Sequence, residues 1–410
     1  MRILFISQYF PPEMGAPAAR TFELARHWVA AGAEVTVVTA VPNHPNGIVP
    51  ERYRHARIFE ERIDGIRVIR TWIYAAANRG VWRRSLNYMS FLASALALGC
   101  RRAGPADVVI ATSPQFLVGI AGFVAARRRG VPFVFEVRDL WPDSIAALDV
   151  LREGAVLRAL RRIEMGLYRE AALVVGVAHS TRDELVRRGV DAEKIVIVPN
   201  GADSDVFCEL EKYNGIRESL GLGRRFVVSY VGTHGMAHGL ETVLESADEL
   251  RGHDDIQFLF VGDGAQREQL ERTAAAKRLD NVRFVGVQPR ERIPSYIATS
   301  DVSLVPLRRK PLFAKVLPSK IFEIMGCARP LILGVEGEAR AAVLDAEAGL
   351  CVTPEDPRAL SQAILQLYRD PARAATLGRN GREYVRRNFS RDELARRYLD
   401  VLETVVAGRD

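Results

Sequence analysis

Apolar residues fall along this chain in short runs, and between the runs the spacing changes to one apolar position every three or four residues. In the first half the runs are Ile3–Ile6, Val35–Thr39, Val68–Arg70, Val108–Ala111, Phe133–Glu136, Leu173–Val177 and Ile195–Val198. Helix-patterned stretches such as Pro17–Ala31 and Phe116–Arg128 lie between several of them. The series then restarts with Phe226–Val231, Ile256–Val261, Val282–Val285, Val302–Val305, Leu331–Leu333 and Leu350–Val352, again interleaved with helical stretches such as Leu240–Arg251 and Gly264–Arg278. Alternation of this kind predicts α/β structure with parallel sheets. The restart predicts two Rossmann-like lobes, 1–200 and 201–388, joined near Pro199-Asn200-Gly201. Ligands of such sheets bind beyond the carboxyl ends of the strands, so a cleft between the lobes is the expected site. A last amphipathic helix, Phe389–Ala407, is opened by Ser390 and carries Asp392 and Glu393 in its first turn, as the helix dipole favours. The segment 389–410 is expected to pack back on the first lobe.

Composition narrows the class. With 410 residues, 48% hydrophobic and 26% charged, the chain has length for two cores and the balance of a globular enzyme. Its four cysteines are scattered without pairing or metal-ligand spacing, which points to a reduced cytoplasm. The run after Met1 is too short for a signal peptide and reads as a first strand. The net charge of +7 is uneven: residues 1–200 hold 27 Lys and Arg against 19 Asp and Glu, and residues 201–410 hold 30 against 31. A basic first half suits an anionic partner, either a membrane surface or a phosphate-bearing substrate. Nucleic acid is not expected, because the arginines are not interleaved with aromatics in a recognisable module. The most apolar window, Tyr88–Gly99, is too short to span a bilayer and is bracketed by Arg83, Arg84, Arg101 and Arg102. Two readings of it stand: a helix lying on a membrane face, or a core helix with basic ends.

The densest chemistry lies in Phe313–Pro330. Ser319 and Lys320 stand at a helix start, where N–H groups, a hydroxyl and a cation suit a diphosphate. Glu323 follows one turn later on the same face, placed to accept hydrogen bonds from ribose hydroxyls. Other turns repeat the theme at strand ends. Pro11-Pro12-Glu13-Met14-Gly15 follows the first strand, and Gly15 there lets backbone approach a ligand. Gly232 ends the first strand of the second series and His234–Gly239 opens its first helix. Gly262-Asp263-Gly264 ends the next strand, and Val287 lies just past the one after that.

With Asp139-Leu140-Trp141-Pro142, the order of these segments resembles glycosyltransferase family 4 over essentially the whole chain, in particular its bacterial exopolysaccharide and O-antigen branch. The resemblance implies the GT-B fold and a retaining transfer from a nucleotide-diphosphate sugar, UDP foremost, to an acceptor hydroxyl. It makes Glu323 the second Glu of the family's paired-Glu motif. The first would stand at Lys315, so Lys315 or the N–H groups around Val316 and Leu317 are expected to serve the donor sugar instead. The family's diphosphate-gripping Arg and Lys correspond to Thr233 and His238, which leaves Lys320 as the expected diphosphate cation. The expected donor set is Gly15, Gly232, Thr233, His238, Gly262, Gly264, Val287, Lys315, Val316, Leu317, Ser319, Lys320 and Glu323. On the acceptor side it is Glu136, Arg138 and Asp139, and the catalytic set is Asp139, Lys320 and Glu323. Asp203 and Asp205 have D-x-D spacing but follow a turn, where Asp bonds local backbone; no metal and no cofactor besides the donor are expected. The acceptor is lipid-linked or a small molecule, and the enzyme is cytoplasmic with peripheral membrane contact through its first lobe. Two other classes remain open at this level: a nucleotide-sugar 2-epimerase, and a non-catalytic sugar-nucleotide or membrane-surface binding protein.

Overall fold

The computed structural model describes residues 1–44, 46–76, 81–147 and 153–408. It separates into two compact units, Met1–Pro199 with Asp392–Asp410, and Asn200–Arg391.

The first unit is built on an eight-stranded sheet in the order β3-β4-β2-β1-β5-β6-β7-β8. The strands are β1 (Arg2–Ile6), β2 (Glu34–Ala40), β3 (Ile58–Ile63), β4 (Ile66–Thr71), β5 (Val108–Thr112), β6 (Phe133–Val137), β7 (Leu173–Gly176) and β8 (Ile195–Ile197). All neighbours are parallel except β3 and β4, which form an antiparallel hairpin at the edge. The apolar runs do not reveal β3. Its sequence, Ile-Phe-Glu-Glu-Arg-Ile, presents charges as edge strands do, and its turn uses Asp64 and Gly65 at positive φ, the hairpin signature. Phe5, Leu24, Trp28, Val35 and Val37 form the core on one side of the sheet.

The final helix, Arg391–Ala407, contributes Leu394, Ala395, Tyr398, Leu399 and Leu402 to that same core. Trp28 Nε1 donates to the Ala395 carbonyl at 2.9 Å, and its ring meets Tyr398 edge-on at 5.2 Å. Each such large apolar side chain contributes roughly 1.5–3 kcal/mol on burial, which holds the end of the chain on its first unit. The helix starts at Arg391, two residues later than the pattern suggests. Ser390 instead pairs with Ala202 across an isolated bridge, and Phe389 stacks on Phe322 at 4.4 Å.

The second unit carries a fully parallel sheet in the order β11-β10-β9-β12-β13-β14. Its strands are β9 (Phe226–Val231), β10 (Ile256–Val261), β11 (Val282–Val285), β12 (Val302–Pro306), β13 (Leu331–Gly334) and β14 (Gly349–Cys351). The order reverses between β9 and β12, which makes their carboxyl ends the switch point where a doubly wound sheet opens a crevice. Phe258, Phe260, Leu244, Leu304 and Ile364 fill the core on one side.

Candidate nucleotide-sugar site

At the end of β9 the chain turns through Gly232, φ 146°, and at the end of β10 through Gly262, φ 131°. The two turns interlock. A Cβ on Gly262 would lie 2.1 Å from the Gly232 carbonyl oxygen, and one on Gly264 2.5 Å from that of His234. His234 N–H donates to the Asp263 carbonyl at 2.9 Å, and Gln266 N–H donates to the His234 carbonyl at 2.9 Å. Gly262 and Gly264 are therefore held by backbone packed on backbone.

Lys320 reaches this turn from the helix Lys320–Gly326. Its Nζ sits 4.0 Å from the centroid of the Tyr230 ring, and a Cβ on Gly232 would lie 2.7 Å from it. The ammonium is buried and has no hydrogen-bond partner among the described residues. Burial lowers its pKa to about 7, against a smaller upward pull from Glu323. Tyr230 fixes the platform by donating its hydroxyl to the Thr233 carbonyl at 2.7 Å. A desolvated cation aimed at a glycine turn is a place for an anion. The helix has only seven residues, so Lys320 rather than the helix dipole supplies most of the charge.

The two histidines beside it are neutral at pH 7. Burial, then Lys320, brings His238 down to about 3. Burial, Arg267 and Lys320 bring His234 down to about 4. His238 Nδ1 and both ring nitrogens of His234 have no hydrogen-bond partner among the described residues. Thr233 is exposed. Positions 233 and 238 thus add no positive charge at neutral pH. The nearby arginines are engaged: Arg267 donates to the Gly262 carbonyl at 3.0 Å and pairs with Glu271, and Arg308 binds the Met236 carbonyl, Glu241 and Glu355.

Glu323 is half-buried one turn beyond Lys320, and its Oε1 lies 3.4 Å from Arg290. Arg290 in turn lies 5.1 Å over the Phe207 ring. Sequence reasoning missed Arg290; the one local signal was a charged Arg-Glu-Arg turn shortly after a strand. Val287, just before that turn, is exposed. The segment Phe313–Lys315 is a 3-10 turn that leads into extended Val316. The Ala314 carbonyl oxygen is pressed under Gly337, where a Cβ would lie 2.0 Å away. Val316 N–H donates to the Phe313 carbonyl at 3.2 Å, so that N–H is spent within the turn, and Leu317 is buried in the core. Ser319 stands at the helix start without a side-chain capping bond.

In the first unit, Gly15, φ 122°, precedes the helix Ala16–Ala30. Glu13, unflagged by the sequence, is buried beside it. Its Oε1 accepts from Asn43 N–H at 2.8 Å and His44 N–H at 2.9 Å, and burial pushes its carboxyl up to about 7. Glu136 does not present itself to a ligand. It is fully buried, with Oε2 3.0 Å from Arg20 and Oε1 accepting from Thr112 at 2.7 Å. Arg20 also donates to the Val198 and Pro199 carbonyls, so the pair clamps the chain as it leaves the unit. Ser113 Oγ accepts from Arg138 N–H at 2.8 Å and lies 3.4 Å from Asp139 N. Burial raises the Asp139 carboxyl above its ordinary value, and Arg138 opposes the rise. Asp203 Oδ1 accepts from Asp205 N–H at 3.1 Å, a local turn bond. Among the described residues, no three His, Cys, Asp or Glu side chains cluster to hold a metal.

Residues 15–201 match the family described as glycosyl transferase 4-like domain, and residues 214–384 match glycosyl transferases group 1. The chain belongs to the glycosyltransferases. It is 26% identical over 410 residues to an Escherichia coli K12 protein that carries the name colanic acid biosynthesis glycosyl transferase WcaI, covering 98% of this chain and 99% of that one. It is 30% identical over 236 residues to the GDP-mannose-dependent alpha-(1-6)-phosphatidylinositol monomannoside mannosyltransferase of Mycolicibacterium smegmatis, covering 56% of this chain and 61% of that one. Among solved structures, Anabaena HepE in complex with UDP-glucose is similar, with TM-score 0.75, 17% identity, and coverage of 98% of this chain and 100% of that one. The architecture of this glycosyltransferase is GT-B, with two Rossmann-like units.

Proposed function

We propose that this glycosyltransferase moves a sugar from a nucleotide-diphosphate sugar to an acceptor hydroxyl with retention of anomeric configuration, in the synthesis of a cell-surface or related glycan. The observation that carries the reading is Lys320: a buried cation without a hydrogen-bond partner among the described residues, over Tyr230, at the switch-point turn of the second unit. In this reading the donor's diphosphate lies at the Gly232 turn beside Lys320, and Glu323, steadied by Arg290, takes the ribose hydroxyls. The bond between the anomeric carbon and the diphosphate oxygen breaks while the acceptor oxygen bonds on the same face. The acceptor's proton passes to the departing diphosphate, so no covalent sugar–enzyme intermediate is needed. Charge growing on the diphosphate meets Lys320, whose ammonium is withdrawn from solvent, where electrostatic stabilisation is strong.

UDP is the nucleotide the reading favours, in line with the ligand of HepE; the mycolicibacterial relative, named for GDP-mannose, makes GDP the competitor. Lys315, half-buried beside the donor segment, is the candidate to meet the sugar's hydroxyls. In the first unit, Arg138 and Asp139 are the candidates for the acceptor, while Glu136 serves the fold. The acceptor is lipid-linked, the site of action is the cytoplasmic membrane face, and the reaction is metal-independent. Thermal-shift and calorimetric titration against UDP, GDP, ADP and dTDP, followed by turnover with the matching sugar nucleotides and product analysis in EDTA, tests this. Binding of none of the four diphosphates, or an epimerised sugar nucleotide as product, refutes it.

A further inference from the structure

Beyond the carboxyl ends of β1 and β2 the first unit buries a connected group of polar side chains that the donor reading does not use. Gln8, Glu13, Asn43 and Asn87 are each 6% exposed or less. Gln8 Nε2 donates to Asn87 Oδ1 at 2.8 Å, and Asn87 Nδ2 donates to Asn43 Oδ1 at 3.1 Å and to the Tyr74 carbonyl at 2.8 Å. Glu13 holds the other end of this row of bonds through the N–H groups of Asn43 and His44, and Gly47 N–H closes that turn on the Asn43 carbonyl at 2.7 Å. Asn87 comes from the buried face of the helix Val81–Ser94, beside Phe91 and Ser94, so the core-helix reading of Tyr88–Gly99 holds on that face. Two oxygens of the group, Gln8 Oε1 and Glu13 Oε2, have no hydrogen-bond partner among the described residues. An apolar core would avoid the cost of such oxygens, which marks the group as serving something besides packing.

A half-exposed layer, Tyr9, His44, Arg84 and Tyr88, is joined to this buried one. The Tyr9 and His44 rings meet edge to face at 5.3 Å, and Arg84 donates to the Tyr88 hydroxyl at 3.2 Å. Burial, then Tyr88 and Glu13, push the Tyr9 hydroxyl well above its ordinary pKa, which sets both side chains close to it. Burial, then Arg84, lower His44 below its ordinary value, so its ring is neutral at pH 7. The layer thus offers aromatic faces, two phenolic hydroxyls and a neutral imidazole, each of which can donate and accept, and a guanidinium. Gln115 Nε2 donates to the Tyr88 carbonyl at 3.4 Å, and nearby Ser113 takes the Arg138 N–H. Those bonds tie the layer to the acceptor candidates Arg138 and Asp139 at the end of β6.

We propose that Glu13 is a positioning residue for a saccharide acceptor. Its carboxyl fixes the Asn43-His44 turn, so that His44 and Tyr9 stand ready, with Tyr88 and Arg84, to receive the sugar ring that carries the reacting hydroxyl. A sugar ring fits this layer because it has C–H faces to lie against aromatic rings, and hydroxyls that both donate and accept around its rim. A plain alkyl alcohol would leave the phenols and the imidazole without partners when it bound. A bare phosphate would meet Arg84 but also the Glu13 carboxyl behind the turn. The buried bonds have a use in this reading: a turn held by side chains that are themselves locked loses less freedom when its ligand arrives. The inference rests on the reading that the first unit takes the acceptor. It names the acceptor's class and does not depend on the donor nucleotide.

Saturation-transfer NMR of the full chain in the presence of UDP tests it, using methyl α-D-glucopyranoside, methyl α-D-mannopyranoside and methyl α-D-galactopyranoside, with glycerol as the control that lacks a ring. The wild type is expected to bind at least one of the glycosides and not glycerol. Glu13→Ala is expected to weaken that binding roughly 10–100-fold, as the loss of a supporting side chain does, while calorimetry finds its UDP affinity unchanged. Glu13→Gln keeps an oxygen for the Asn43 and His44 N–H groups and is expected to restore most of the binding. His44→Ala changes a half-exposed side chain and is expected to weaken the glycosides as Glu13→Ala does, which keeps the test decisive if Glu13→Ala does not fold. A wild type that binds none of the glycosides, or binds glycerol as well as it binds them, overturns the proposal. So does a His44→Ala enzyme with wild-type glycoside affinity. A folded Glu13→Ala enzyme that keeps its glycoside affinity, or loses UDP affinity in equal measure, overturns it too. Glycoside binding by a wild type that does not bind UDP supports this site and refutes the donor reading alone.

Discussion

Replacing Lys320 by Met should make the ligand-free enzyme more stable at pH 7 while weakening its hold on the donor diphosphate. The opposite signs come from one fact: the ammonium is buried over Tyr230 with no hydrogen-bond partner among the described residues. Burial brings its pKa from 10.5 to about 7, and each tenfold change in proton affinity corresponds to about 1.4 kcal/mol. The cost to the empty protein is therefore on the order of a few kcal/mol. For a lysine whose folded pKa is depressed, the unfolded chain binds more protons between pH 7 and 10.5. Stability then rises with pH across that window, and the cost is fully present below about pH 7. Met keeps most of the volume and removes the charge, so the melting temperature of the second unit at pH 7 should rise, by roughly 2–4 °C per kcal/mol for a unit of its size. The rise of wild-type stability between pH 7 and 9.5 should flatten in the variant. Donor binding restores the ammonium and takes up a proton, so wild-type affinity for UDP should fall towards tenfold per pH unit above pH 7. The Met variant should bind UDP at least tenfold more weakly and show no such slope. Thermal scans with and without UDP at several pH values, with calorimetric Kd values, give both readings. A variant that is less stable than wild type when empty at pH 7, and binds UDP as well, refutes the reasoning.

Glu323→Gln should cost about 1.5–3 kcal/mol of nucleotide affinity, the worth of charge-assisted hydrogen bonds, with the melting temperature little changed; unchanged UDP affinity by calorimetry removes Glu323 from the site. Gly262→Ala should lower the melting temperature steeply, because its Cβ would meet the Gly232 carbonyl at 2.1 Å at a φ that disfavours side chains; a native-like melting temperature there shows that the interlocked turns are not as tight as described. Glu136→Gln should destabilise by about 3–5 kcal/mol, since it leaves Arg20 buried without its counter-charge. Although burial raises the Glu136 carboxyl, Arg20 holds it below its ordinary value. Its stabilisation is thus present above the unfolded carboxylate pKa and should be lost as pH falls through the lower folded value, a loss that denaturant titrations from pH 5 downward would show in wild type and not in Glu136→Gln.

The strands that the sequence reveals are those buried on both faces, where a run such as Phe226–Val231 or Val108–Thr112 must be almost wholly apolar. The hairpin strand Ile58–Ile63 escapes the same reading because an edge strand can carry Glu60, Glu61 and Arg62. The start of the last helix is misjudged for a related reason. Phe389 and Ser390 have helical neighbours in sequence, but Ala202, far away along the chain, bonds the Phe389 carbonyl and the Arg391 N–H on either side of Ser390. Candidate-site residues divide along the same line. The placement of Gly232, Lys320 and Glu323 is legible because each sits at a strand end or in the first turn of a helix, where chain geometry and local chemistry coincide. Arg290 and the Arg20–Glu136 pair are not, because each depends on a partner 33 or 116 residues away. Glu136 looks like a site carboxylate at the end of its run, and only the fold shows Arg20 on it.

Lys320 explains why histidine is tolerated where a second cation would be expected. A permanent positive charge at position 238, buried beside an already desolvated ammonium, would add like-charge repulsion to a site that has no anion until the donor arrives. Neutral His238 and His234 spare the empty protein that repulsion and leave one titratable cation, whose proton affinity lies close to ambient pH. Such a site costs less to keep empty than one with a second, fixed charge, because Lys320 can shed its proton. In the proposed function it is also responsive, because an incoming diphosphate would recharge it where the leaving group's negative charge grows. Placing a fixed cation there with His238→Arg should therefore bind UDP more tightly above pH 8 and weaken the pH slope. It should also melt lower when empty and release product more slowly. Pre-steady-state kinetics would detect the last effect as a burst followed by a reduced steady rate. A His238→Arg enzyme with wild-type stability, pH slope and turnover would mean that the neutrality of position 238 has no part in the site.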